Sequence, residues 1–159
     1  MFSIGDKIVY PMHGAGTIEN IEERKILDKV EKYYELKIPI GSITAFVPIS
    51  RVEKLGIRKV VDVGELKKVF EILNKDQGAM SSNWNRRYRQ NLDKLKTGDI
   101  FQVAEVVKDL TIRDTTKGLS SGEKRMLEKS RQILVSEIVL AKNICEEEAD
   151  NLLQEGCGI

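Results

Sequence analysis

Residues 43–73, ITAFVPISRVEKLGIRKVVDVGELKKVFEIL, change from a strand pattern to a helix pattern near position 62. The first six residues are rich in β-branched and aromatic side chains, which is typical of a strand. Further on, apolar residues recur at helical spacing and form one face: Val63, Leu66, Phe70 and Leu73. This change of period predicts a β module before position 62 and a helical module after it.

The chain before this switch contains several short strand candidates. They lie at five places: 2–10, 17–22, 31–38, 43–48 and 55–61. Turn-forming residues separate them, as in His-Gly-Ala-Gly at 13–16 and Pro-Ile-Gly-Ser at 39–42. Short strands that follow one another closely, with turns between them, predict a small antiparallel β-barrel.

The chain after the switch predicts an all-α module. Helices are expected at 63–73, 83–95, 100–117, 121–141 and 146–153. The fourth of them opens with a capping box, formed by Ser120 and Glu123, and the connection before the second contains Gly78. We therefore predict an α+β chain with a β domain over residues 1–60 and a helical domain over residues 61–159.

The composition is that of a soluble globular protein. Of the 159 residues, 41% are hydrophobic and 32% are charged, which is enough apolar material for a packed core. No apolar run approaches the roughly 20 residues that a membrane span needs. The first residues also lack the basic and apolar regions of a secretory signal. We therefore expect a cytoplasmic protein without a membrane partner.

Residues that could bind a metal ion or perform catalysis are few. Cys145 and Cys157 do not form a Cys-x-x-Cys pair and His13 is the single histidine, so we predict neither a disulfide framework nor a metal site. Residues 14–16 begin a Gly-x-Gly motif, but Glu19 stands where a dinucleotide-binding motif needs its third glycine. We predict no enzyme activity, no cofactor and no small-molecule substrate.

The net charge of +1 conceals an uneven distribution along the chain. Residues 1–65 carry ten basic and ten acidic side chains. Residues 66–131 carry fifteen basic and nine acidic side chains, a net charge of +6, whereas residues 132–159 have a net charge of −5. The basic middle segment therefore suits a polyanionic partner, and the acidic tail does not.

Three arginines follow the single tryptophan, Trp84, within the predicted second helix: Arg86, Arg87 and Arg89. Arginine binds phosphate through two parallel hydrogen bonds, and an adjacent aromatic ring can stack on a base or wedge between bases. This combination indicates a nucleic-acid contact. The alternative is a solvated helix face, with Trp84 packed beside Tyr88 and Leu92.

Lys124 is a further basic candidate, because it lies in the first turn of the predicted fourth helix. A cation there opposes the helix macrodipole, at a cost of about 0.3–1 kcal/mol. Free backbone amides with a lysine beside them at a helix N-terminus can instead bind phosphate. Together with the arginines after Trp84, Lys124 favours a nucleic-acid contact.

Three motifs resemble those of the CarD/CdnL family of bacterial transcription regulators. They are IGDKIVYPMHGAG at residues 4–16, NWNRRY at 83–88 and GLSSGEKRML at 118–127. The first motif is shared with the polymerase-binding module of transcription-repair coupling factors. The two helical motifs and the missing phosphate loop distinguish the chain from those ATPases, and the resemblance extends over residues 2–142.

The resemblance implies a Tudor-like barrel that binds the β subunit of RNA polymerase, and helices that bind promoter DNA at the upstream edge of the transcription bubble. The family's tryptophan wedges into the minor groove there and slows bubble collapse, which stabilises the open complex. By position, that role falls on Trp84. Arg86, Arg89 and Lys124 match basic positions of the family that contact the DNA backbone.

The resemblance also implies two polymerase contacts on the β module. Arg24 matches an arginine of the family that contacts the polymerase. The second contact lies on the strand ending at Val47 and Pro48, where some members carry an arginine. This chain has Phe46 there, which leaves the role of the strand intact.

Two other functions are compatible with the residue patterns. One is a general DNA- or RNA-binding protein that acts without RNA polymerase. The other is a non-catalytic protein adaptor in which Trp84 belongs to the core. The exposure of the indole ring distinguishes the adaptor from the DNA-binding alternatives.

Overall fold

The computed structural model describes residues 1–75 and 80–156, and Gly78 and Cys157 lie outside this part of the chain. The strands in it are β1 Lys7–Tyr10, β2 Gly14–Ile26, β3 Lys29–Ile38, β4 Ile43–Pro48 and β5 Arg58–Lys59. The helices in it are α1 Val52–Leu55, α2 Val63–Leu73, α3 Trp84–Lys96, α4 Ile100–Thr116, α5 Ser121–Lys142 and α6 Glu146–Gly156. The predicted α+β fold class is confirmed, with a β module followed by helices.

The strands form one antiparallel sheet in the order β4-β3-β2-β1-β5. The buried apolar side chains on one side of the sheet form a single cluster. It contains residues from β1 to β4 and Ile57, which lies just before β5. Its largest member is Tyr34, whose hydroxyl donates to the backbone oxygen of Phe2. Alternate burial along β3, at Tyr34, Leu36 and Ile38, gives the pattern expected of a sheet with one buried face.

Residues 13–16 differ from the prediction of a turn. The turn comprises Pro11 to His13, and Gly14 already pairs with Tyr10 as the first residue of β2. A Cβ atom at Gly16 would lie 2.5 Å from the backbone oxygen of Lys37 on β3. The glycine therefore permits the close approach of two strands rather than a reversal of the chain.

The predicted fifth strand is also shorter than the expected residues 55–61. Only Arg58 and Lys59 pair with β1, because the preceding residues form the short helix α1. Gly56 ends α1 in the left-handed conformation, at φ 75°, and directs the chain back to the sheet.

The helical module follows the predicted periods closely. Side-chain oxygens cap the first turns of four helices: Asp62 for α2, Asn83 for α3, Asp99 for α4 and Ser120 for α5. The buried faces of α2, α4 and α5 share one core with Ala149 and Leu153 of α6. The acidic tail therefore has a structural role, since α6 packs against α2 and α5.

The β module packs directly onto α5. The backbone N–H of Ala15 donates to the Ser136 hydroxyl over 2.8 Å. Next to it, Arg58 donates two hydrogen bonds to the carboxylate of Glu137, over 2.7 and 2.8 Å. The N–H of Val61 donates to the same carboxylate over 3.0 Å. Residues that are distant in sequence thus join the sheet to the helical module.

Candidate nucleic-acid and protein interfaces

Trp84 begins α3 and is partly exposed. The side chain of Asn83 caps this helix by accepting from the N–H of Arg86 over 3.1 Å. The indole ring stacks on Tyr88, one helical turn later, with 5.4 Å between ring centroids and 21° between ring planes. Because Trp84 retains 43% of its accessible surface, the adaptor alternative, in which it belongs to the core, is wrong on that point.

The N-termini of α3 and α5 lie side by side at this tryptophan. Trp84 Nε1 donates to the Ser120 hydroxyl over 2.7 Å, and Ser120 is the N-cap of α5. A Cβ atom at Gly122 would lie 3.8 Å from the rings of both Trp84 and Tyr88. The first turn of α5 therefore packs beside both aromatic rings.

Arg86, Arg89 and Lys124 are all exposed and belong to these two helices. None of the three makes a salt bridge with another residue in the ranges 1–75 and 80–156. Their charges are therefore available to an external anion. We use the name tryptophan face for the exposed set of Trp84, Arg86, Arg89 and Lys124 in the N-terminal halves of α3 and α5.

The structure corrects the expectation that Arg87 contacts DNA. Arg87 is only 3% exposed, and its guanidinium donates to both oxygens of Glu123 over 2.7 and 2.9 Å. A third hydrogen bond, over 3.1 Å, goes to the backbone oxygen of Ser81. Arg87 points into the helical module, so a phosphate group on the outside has no access to it.

Both members of this pair are held in their charged forms. The hydrogen bonds to Glu123 raise the pKa of Arg87, against the effect of burial. The same hydrogen bonds from Arg87 lower the pKa of the Glu123 carboxyl, which also accepts from Ser120. A buried carboxylate in such a position is stable only with its partner.

The four candidate residues of the β module lie on β2 and β4, with β3 between these two strands. Arg24, on β2, reaches across β3 and places its guanidinium carbon 3.8 Å from the centre of the Phe46 ring on β4. Arg24 also pairs with Glu22, with 3.3 Å between nitrogen and oxygen. Both Arg24 and Phe46 are exposed, so they form one surface.

Val47 and Pro48 contribute differently to that surface. The Val47 side chain is fully buried in the sheet core, whereas Pro48 is half-buried. In the described residues β4 pairs with β3 alone and forms an edge of the sheet. The backbone N–H and C=O groups of β4 that point away from β3 are therefore open to a partner strand, as on any sheet edge.

Residues 1–75 and 80–156 contain neither a candidate metal centre nor a membrane-spanning helix. No group of three His, Cys, Asp or Glu side chains in this part of the chain could hold a metal ion. None of its helices has the length and the apolar character to cross a bilayer.

Comparisons with known proteins cover both modules. A family model described as the CarD-like/TRCF RID domain matches residues 2–61, and one described as CarD, C-terminal domain, matches residues 68–154. The Bacillus subtilis (strain 168) protein named "Putative transcription factor YdeB" is 41% identical over 148 residues. The aligned region covers 93% of this chain and 97% of that protein.

Proposed function

The chain belongs to the CarD family of transcription factors, and we propose that it regulates transcription by binding RNA polymerase and promoter DNA at the same time. In this proposal the β module binds the β subunit of the polymerase. The helical module binds DNA at the upstream edge of the transcription bubble. Both contacts together stabilise the open complex, in the cytoplasm where the polymerase works.

The observation that carries the proposal is the tryptophan face. The indole is 43% exposed, and Arg86, Arg89 and Lys124 make no salt bridge within residues 1–75 and 80–156. An exposed ring and available cations are the two parts that a minor-groove wedge needs. The cations bind phosphates, and the ring replaces part of the base stacking that is lost when a step opens. The ring would then stabilise the separated DNA strands relative to the closed duplex.

The modest charge of the helical module implies weak binding to DNA alone, so we expect the protein to need the polymerase for promoter binding. DNA affinity arises mainly from released counterions, and three exposed cations on the tryptophan face give only a weak contact. Binding to the polymerase raises the effective concentration of this face at the promoter. This dependence separates the proposal from a general nucleic-acid-binding protein.

The lifetime of the open complex tests the proposal. The full chain should lengthen the lifetime on a promoter from its own genome, and Trp84→Ala should remove most of this effect. Without the wedge, the cost of unstacking a base step, about a few kcal/mol, is no longer offset by the ring. Polymerase binding by Trp84→Ala should remain close to that of the unchanged protein.

Two results would contradict the proposal. One is an open-complex lifetime that the protein does not change in either form. The other is equal DNA binding with and without polymerase, which would favour the general nucleic-acid-binding alternative. A urea melt of Trp84→Ala serves as the control, because a half-exposed indole should contribute little to the core.

A further inference from the structure

The indole of Trp84 is anchored at its nitrogen although its ring is exposed. Trp84 Nε1 donates to the hydroxyl of Ser120 over 2.7 Å, across the junction of two helices. We propose that Ser120, supported by Glu123 and Arg87, is a positioning residue that fixes the orientation in which Trp84 meets DNA. This inference rests on the proposed function and adds to it a set of residues that do not touch the DNA.

The Ser120 hydroxyl has no freedom to rotate. A hydroxyl has one proton to donate and two lone pairs that accept. Here the lone pairs accept from Trp84 Nε1 and from the N–H of Glu123, the latter over 3.2 Å. Its proton is directed to Glu123 Oε1, 3.2 Å away. Every hydrogen-bonding position of this hydroxyl is used, so the indole has an acceptor in a fixed place.

Glu123 is fixed in turn by Arg87. The carboxylate is 1% exposed and accepts two parallel hydrogen bonds from the guanidinium, an arrangement with strong directional preference. Arg87 lies three residues after Trp84 on the same helix. A closed circuit therefore runs from Trp84 to Ser120, to Glu123, to Arg87 and back along α3 to Trp84.

This circuit has a consequence for the way Trp84 contacts DNA. Because its N–H is bonded within the protein, the indole offers its ring rather than a hydrogen bond to a base. One ring face is covered by Tyr88, which leaves the other face and the outer edge for the DNA. A side chain that is already held in its bound orientation loses less conformational entropy on binding.

A pair of substitutions at position 120 separates positioning from helix capping. Ser120→Gly removes the acceptor of the indole, and glycine remains an acceptable N-cap. Ser120→Thr keeps both the hydroxyl and the cap. Asp62→Gly is the matched control, since it removes a side-chain cap from α2 without touching the circuit.

The single tryptophan gives one indole N–H resonance in a nitrogen-correlated NMR spectrum. In Ser120→Gly this resonance should move, and its hydrogen exchange should become about fivefold faster, because one hydrogen bond is lost. Ser120→Thr and Asp62→Gly should both resemble the unchanged protein. An unchanged resonance and exchange rate in Ser120→Gly would overturn the inference.

The open-complex lifetime then connects orientation to function. Ser120→Gly should shorten the lifetime about two- to fivefold, as expected when one ordering hydrogen bond is lost. Ser120→Thr should restore the lifetime, and Asp62→Gly should leave it unchanged. If Trp84→Ala shortens the lifetime and Ser120→Gly does not, the positioning role is wrong. If Trp84→Ala itself has no effect, the proposed function fails, and the NMR result still decides whether Ser120 orders the indole.

Discussion

At the scale of single residues, Lys124 has a charge that local helix electrostatics do not favour. It is exposed near the positive end of α5, and no salt bridge to it occurs in the described parts of the chain. Its neighbours Ser120 and Glu123 have clear structural partners. Binding of an external anion therefore explains why a cation stands at this position.

We expect Lys124→Ala to weaken DNA binding by a similar factor on every sequence, because a phosphate contact carries no base information. The slope of log K against log salt should become shallower by about 0.9. Stability should be unchanged or higher by up to about 1 kcal/mol, since an unfavourable helix-end charge is removed. Titrations at several salt concentrations and a urea melt measure both effects.

Lys68→Ala is the matched control, because Lys68 is an exposed lysine of α2 in the same basic segment. It should leave the salt slope as it is. A slope that Lys124→Ala does not change, or a clear loss of stability, would show that Lys124 is not a phosphate contact.

Arg24, on the β module, gives a second prediction about a single residue. Arg24→Glu reverses a charge on the surface that Arg24 shares with Phe46. Association with the polymerase β subunit should weaken about three- to tenfold at low salt, mainly through a slower encounter. Surface plasmon resonance with the β subunit measures the association rate directly.

Lys59→Glu controls for the change in net charge, because β5 forms the opposite edge of the sheet from β4. That variant should bind the polymerase normally. Equal binding by Arg24→Glu would assign the contact to the β4 edge and Phe46 without Arg24.

At the scale of secondary-structure elements, the buried pair of Arg87 and Glu123 joins α3 to α5. Arg87 lowers the pKa of the Glu123 carboxyl, so the pair contributes stability above the ordinary glutamate pKa of about 4.3. This contribution disappears as the pH falls through the lower pKa of the folded state. The α3–α5 junction, which supports the tryptophan face, should therefore be sensitive to acid.

Glu123→Gln should destabilise the protein by about 3 kcal/mol near pH 7, because Arg87 is left buried without a counter-charge. The difference in the free energy of unfolding between the two proteins should shrink as the pH falls from 5 towards 2. Urea melts over this range measure it, with Glu128→Gln, an exposed glutamate of α5, as the control. A difference that stays constant with pH would mean that Glu123 is not the titrating group.

At the scale of the whole molecule, α5 joins the two proposed interfaces. Its first turn contacts Trp84 at Gly122, and Ser136 and Glu137 contact the β module. At about 1.5 Å for each helical residue, these points are about 21 Å apart along the helix. A continuous helix held at both points fixes the distance between the β module, which carries the proposed polymerase-binding surface, and the tryptophan face.

Glu137→Ala should loosen this connection. Arg58 and the N–H of Val61 would lose their shared acceptor, which should cost about 2–3 kcal/mol in the free energy of unfolding, because Arg58 is partly exposed and can be solvated. The open-complex lifetime should also fall, although every residue proposed to contact DNA or polymerase is intact.

Glu128→Ala, on the same helix, should change neither quantity. A Glu137→Ala protein that is less stable but keeps the full open-complex lifetime would show that the spacing between modules does not matter. The two measurements thus separate stability from geometry.

The sequence by itself determined the local features of this protein. The change of period near residue 62, the capping box at Ser120 and the strand at residues 43–48 all recur in the structure. The reason is that helix periodicity, capping and strand alternation depend on residues only a few positions apart.

Only the tertiary structure decided which side chains meet across elements. Arg87 is next to Arg86 in the sequence, yet it is buried. Its partner, Glu123, is 36 residues away in the sequence and lies on another helix. Gly16 pairs with Ile8 of β1 and also allows β3 to approach closely, and Arg58 pairs with Glu137 over a separation of 79 residues. Such partners depend on how the whole chain packs, and the packing is set by the combined burial of both cores rather than by any local pattern.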